Sequence, residues 1–77
     1  MEVFKIPLKE FLEKYCSKHQ VISVSVIEDN GIRTTIMHWE HVDDFLDDEF
    51  NSALFDREVI DIFCGHGEVL YINVKGE

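Results

Sequence analysis

Positive charge is scarce where this chain most needs it: from residue 34 to residue 56 there is no Lys or Arg. Cysteine is almost as sparse, with Cys16 and Cys64 alone, which excludes a disulfide-rich framework and points to a reducing, cytoplasmic setting. The opening residues include Glu2 and Lys5 and lack the apolar core of a signal peptide. No apolar run exceeds the four residues 69–72, far below the roughly 20 that span a bilayer, and no basic amphipathic segment is present to lie on an anionic surface, so a membrane role is not expected. The four glycines, Gly31, Gly65, Gly67 and Gly76, form no Gly-rich loop leading into a helix, which removes the usual phosphate cradle. An isoelectric point near 4.7 repels phosphate backbones and disfavours direct nucleic-acid binding. No cofactor is implied.

What is present is acid, and its placement is uneven. Residues 1–33 carry five acidic and five basic side chains, whereas residues 34–77 carry eleven acidic and two basic, so the net charge of −9 belongs to the second half. Nine aromatics, each able to remove ~150–250 Å² from water, can furnish a core. With 77 residues the chain makes one small domain, 1–77, of modest stability, since a chain of this size buries only about 60% of its unfolded surface.

Periodicity along the chain alternates between two and 3.6. Residues 2–6 alternate as a short strand, and Pro7 suits the first turn of a helix because its missing N–H needs no partner there. Leu8, Phe11, Leu12, Tyr15 and Cys16 then recur at helical spacing. From Gln20 the period becomes two, and Asn30-Gly31 between β-rich runs predicts a two-residue type I′ hairpin in which Ile22 faces Trp39, Val24 faces Met37, Val26 faces Thr35 and Glu28 faces Arg33. Residues 41–55 return to helical spacing with Val42, Phe45, Leu46, Phe50, Ala53 and Leu54 on one side. A second hairpin joins residues 59–64 to 69–74 through Gly65-His66-Gly67, with Gly67 left-handed. The order β-α-β-β-α-β-β predicts an α+β fold, a mainly antiparallel four- to five-stranded sheet with two helices packed on one face.

On the 41–55 helix, Asp43, Asp44, Asp47 and Asp48 occupy the arc opposite the apolar side, with Glu40 just before it. A solvated face accounts for such acids in part, and the first two gain from the helix dipole. Unlike an ordinary surface helix, this one has no Lys or Arg at i+4 to relieve repulsion. Carboxylates about 5–6 Å apart along a helix approximate a row of phosphates. The favoured expectation is a non-enzymatic interaction module whose Glu40, Asp43, Asp44, Asp47 and Asp48 dock on a basic protein surface, such as that of a nucleic-acid-binding protein blocked by charge mimicry. Glu49 falls on the apolar side of the wheel, which predicts that the helix bends or restarts near Asp48–Glu49 and lets the carboxylate reach water, the alternative being a buried ion pair with Arg57 or Arg33.

Two other readings compete. If both helices cover one sheet face, Val21, Ile27, Ile36, Val59, Phe63, Val69 and Tyr71 fall on the other, a patch large enough to make a homodimeric structural or accessory subunit. A third reading is a metal-binding regulator, since His38, His41, Cys64 and His66 offer four N and S donors for a tetrahedral ion. The spacing of that set matches no specific motif. Neither cysteine has a base arranged beside it, and the paired acids share one wet environment, so no catalytic residue is expected.

Overall fold

The computed structural model describes residues 6–76, apart from the side chains of Met37, His38 and His66. The architecture is α+β, a mixed sheet with a few helices. In chain order the elements are α1 (Leu8–Tyr15), β1 (Val21–Ile27), β2 (Arg33–His41), α2 (Val42–Asp47), a 3-10 helix over Glu49–Leu54, β3 (Val59–Cys64) and β4 (Leu70–Lys75). The sheet order is β2-β1-β4-β3. The two hairpins are antiparallel as periodicity predicts, but their inner strands β1 and β4 run parallel, so the sheet is mixed. The strand predicted over residues 2–6 lies, except for Ile6, outside the described residues. Pro7 bridges Glu58, and the Val59 N–H donates to the Ile6 carbonyl at 2.9 Å, which adds a fifth short piece of chain along the outer side of β3.

β1 is central, and its sequence shows how. Ile22, Val24 and Val26 alternate on the face that meets Ile72 and Val74 of β4, and all five are buried. Leu8 and Leu12 of α1, Val42 and Phe45 of α2, and Leu54 close over them as one cluster. Ser23 and Ser25 point the other way and are also buried, so the strand is covered on both faces although its sequence alternates. Ser25 shares a 3.1 Å hydrogen bond with Thr35, and Asn73 donates to Asp61 at 2.7 Å, which satisfies the polar centre of that second face.

Both turns differ from the predicted ones by a residue. Glu28 donates its N–H to the Ile32 carbonyl and the Gly31 N–H donates to the Glu28 carbonyl, so the first loop has three residues, Asp29, Asn30 and Gly31. Only Gly31 is left-handed, at φ 88°, which makes this a turn closed by a bulge and not a type I′ turn. The register beside the loop is Val26 to Thr34 and Ile27 to Arg33; it slips at Ile36 and again before Trp39, and coincides with the predicted one only at Val24–Met37. In the second hairpin the Gly65 N–H donates to the Val69 carbonyl at 2.8 Å, so the loop is His66-Gly67-Glu68, with Gly67 and Glu68 both left-handed. Gly65 has a separate reason to be glycine, because a Cβ there would collide with the Tyr71 ring.

The predicted 41–55 helix is two pieces. α2 ends at Asp47, Asp48 is extended at φ −87° and ψ 115°, and a 3-10 helix begins at Glu49. The cause is local polar chemistry: Asp48 Oδ1 accepts the Phe50 N–H at 3.0 Å, and buried Asn51 donates its side-chain amide to the Phe45 carbonyl at 3.1 Å, which occupies a carbonyl at the end of α2. Glu49 reaches water, as the predicted restart requires. Phe50 does not join the core; it is 94% exposed, because the wheel that placed it there stops applying at Asp47.

Candidate functional site

The acids of the second half are carried by the end of β2 and by α2, and short-range chemistry fixes both. Trp39 adopts φ 51°, uncommon for a bulky residue, within the second register slip of β2. The slip turns the strand end so that Trp39 is 69% exposed, where the sequence had set it against Ile22 on the apolar face. α2 is then pinned by its first two N–H groups: Val42 donates to the Gln20 carbonyl at 3.0 Å and Asp43 to the Lys18 carbonyl at 3.1 Å. Helix starts leave such donors without intrahelical partners, and here the turn before β1 supplies the acceptors. Asp43 Oδ1 accepts the next one, from Asp44, at 2.9 Å.

Spacing divides the five acids into two sets. Glu40, Asp44 and Asp48 follow one another at intervals of four. The Glu40 carboxyl is held above the ordinary glutamate value of 4.5, first by partial burial and then by the charges of Asp48 and Asp44. Asp43 and Asp47, also four apart, lie on the other side of α2. They line a groove of ≈ 630 Å³ whose apolar floor includes Leu12, Cys16, Val42 and Leu46 and whose rim includes Lys9, Glu13 and Lys18. Of the five acids, Asp43, Asp44 and Asp47 lie on α2, while Glu40 precedes it on β2 and Asp48 follows it in extended backbone.

Compensating cations are few. Among the described residues the ion pairs within 4.0 Å are Glu10–Lys14 at 3.1 Å and the His41 Nδ1 contact with Asp44 Oδ2 at 3.8 Å, the latter charged only when the imidazole is protonated. Lys9 sits 5.9 Å from the centroid of the Phe55 ring. Asp48 spends one oxygen on capping the 3-10 helix while its charge still acts on Glu40. Two exposed aromatics accompany these carboxylates in sequence, Trp39 preceding Glu40 and Phe50 two residues after Asp48. The sequence reading missed both as surface groups because it assigned each to an apolar face. The signal available for Phe50 was the Asp48-x-x-Asn51 pattern, which favours a cap and a break over a continuous helix.

The alternative sets fare differently. Val59 pairs with buried Val74 and packs against the core, so it does not belong to the second sheet face; Val69 is buried just before β4 and stands outside the core cluster. Ile36 lies on edge strand β2 and Phe63 on the opposite edge, β3, where it stacks on Tyr71 at 5.0 Å with the rings 8° from parallel. Between them run Ser23, Ser25 and Asn73, which break the expected apolar patch; Val21 and Ile27 are half-buried. Of the four metal donors, the two whose side chains are described stand apart. Cys64, Leu70, Ile22 and Glu40 form one row across the sheet, so Cys64 and the neighbouring His41 stand three strand spacings apart, roughly 14 Å at about 4.8 Å each. The side chains of His38 and His66 lie outside the description, and no group of three His, Cys, Asp or Glu that could hold a metal ion occurs among the described residues.

No family model, curated protein or solved structure matches the chain. Among the described residues no helix is long and apolar enough to cross a membrane.

Proposed function

We propose that this protein is a non-enzymatic docking module that offers the acidic surface around α2 to a basic protein. The observation that carries the reading is that Glu40, raised in pKa first by partial burial and then by the charges of Asp48 and Asp44, stands near these acids with no Lys or Arg ion-paired to any of the three among the described residues. Like charges held together destabilise the free protein and are relieved when a cationic surface covers them. Asp43 and Asp47 extend the negative field to the far side of the helix. Trp39 and Phe50 add exposed aromatic area of the kind enriched at protein interfaces, with ring faces suited to Arg and Lys. Asp43 and Asp47, one turn apart on α2 and so about 5–6 Å from each other, approach the spacing of phosphates along a strand, and a nucleic-acid-binding groove is the favoured form of that basic surface. Both cysteines are free, which fits a reducing cytoplasm.

A charge-matched comparison tests this. One variant carries Glu40→Gln, Asp44→Asn and Asp48→Asn; the control carries Asp29→Asn, Asp56→Asn and Glu58→Gln, with the same change in net charge. Proteins captured by the native chain and identified by mass spectrometry should include a basic partner whose retention falls with salt, is lost by the first variant and is kept by the control. Equal loss in both variants, or retention insensitive to salt, would show that no localised acidic site exists.

A further inference from the structure

The ≈ 630 Å³ groove between α1 and α2 lies within the range of clefts that hold ligands, ~300–1,000 Å³. Its floor is the outer side of the core: Leu12 and Val42 are fully covered, whereas Cys16 and Leu46 are only partly buried. Its charges are asymmetric. On the α1 side Lys9 and Glu13 are of opposite sign, and Lys9 is placed over the Phe55 ring. On the α2 side Asp43 and Asp47 are both acids, one turn apart. Lys18 gives its carbonyl to the Asp43 N–H, but within 4.0 Å no ion pair joins Lys9 or Lys18 to either aspartate. An apolar valley between two helices accepts a third at an axial distance of about 8–10 Å.

We infer that this groove seats an amphipathic basic helix of the partner, with its apolar stripe on Leu12, Cys16 and Leu46 and its Arg or Lys side chains against Asp43 and Asp47. The inference rests on the docking reading above and names the form of the partner at one flank of α2. An apolar stripe at i, i+3, i+4 and i+7 spans the floor, and cations at i+1 or i+5, roughly 100–140° round the helix, reach the acidic wall.

The two thiols make the test direct, because Cys16 lines the groove whereas Cys64 is exposed at the far edge of the sheet and serves as the internal reference. The probe is a synthetic Leu/Lys peptide with Leu at i, i+3, i+4 and i+7; a Leu/Glu peptide of the same pattern is the control. Binding is followed by fluorescence anisotropy and alkylation of each thiol by mass spectrometry. At about ten times its Kd the Leu/Lys peptide should slow Cys16 alkylation roughly tenfold and leave Cys64 unchanged. Asp43→Asn with Asp47→Asn should abolish that protection, and the Leu/Glu peptide should give none. Binding that leaves Cys16 as reactive as before, or slows both thiols alike, overturns the groove while the acidic docking reading stands. Absence of binding at low salt overturns both. Protection of Cys16 that rises with protein concentration alone would place a second copy in the groove and likewise overturn the inference.

Discussion

Asp48 shows how one side chain can serve structure and surface together. Its Oδ1 starts the 3-10 helix by accepting the Phe50 N–H, while its charge acts on Glu40. The two roles separate by substitution. Asp48→Asn keeps a good cap and removes the charge, so urea unfolding at neutral pH should find it at least as stable as the native chain. Asp48→Ala loses the cap and should cost about 1 kcal/mol, within a range of roughly 0.5–2. Equal losses would mean that the charge, not the cap, is what Asp48 contributes. Phe45 and Phe50 make a second contrast, since the sequence places both on one apolar side but only Phe45 is buried. Phe45→Ala should cost ~3–5 kcal/mol. Phe50→Ser should fall within about 0.5 kcal/mol of native, which the same unfolding curves would show.

At the scale of elements, periodicity reads well wherever local sequence decides and poorly where distant chain decides. The alternation of Ile22, Val24 and Val26 marks the core face of β1, and the apolar spacing of α1 and the first turns of α2 points their buried sides correctly. Burial of Ser23 and Ser25 was not legible, because it follows from β1 being flanked by both β2 and β4. The parallel β1–β4 pairing joins residues about 50 apart in sequence, which no local pattern encodes. Turn positions were legible from glycine, but turn types were not: Asn30-Gly31 serves a type I′ loop or a bulged three-residue loop equally well, and the Glu28–Ile32 hydrogen bonds decide. The acidic set was legible by composition. The placing of Asp48 beyond the helix needed the break there, and the placing of Asp43 and Asp47 on the groove needed the position of α1.

For the molecule as a whole, a net charge of −9 on 77 residues means that folding gathers like charges. Screening shortens from about 30 Å at 0.01 M salt to about 10 Å at 0.1 M, so the midpoint of thermal unfolding should rise with sodium chloride over that range. A midpoint that falls would mean that favourable ion pairs dominate the surface. Glu40 contributes one component of the pH dependence, and its sign follows from its shift. Its folded pKa lies above its ordinary value, so the folded chain holds the proton more tightly; the associated stability is fully present below about 4.5 and is lost as pH rises through the folded pKa. Glu40→Gln should remove that component of the acid-range slope. The docking account depends on these carboxylates being gathered without a compensating cation, and the most direct measurement is a carbon-13 NMR titration of the Glu40 carboxyl. The expected result is a pKa above 4.5 that moves back toward it in Asp44→Asn and Asp48→Asn. A Glu40 pKa at or below 4.5, unmoved by either substitution, would contradict the account, because the acids would then be apart or already neutralised.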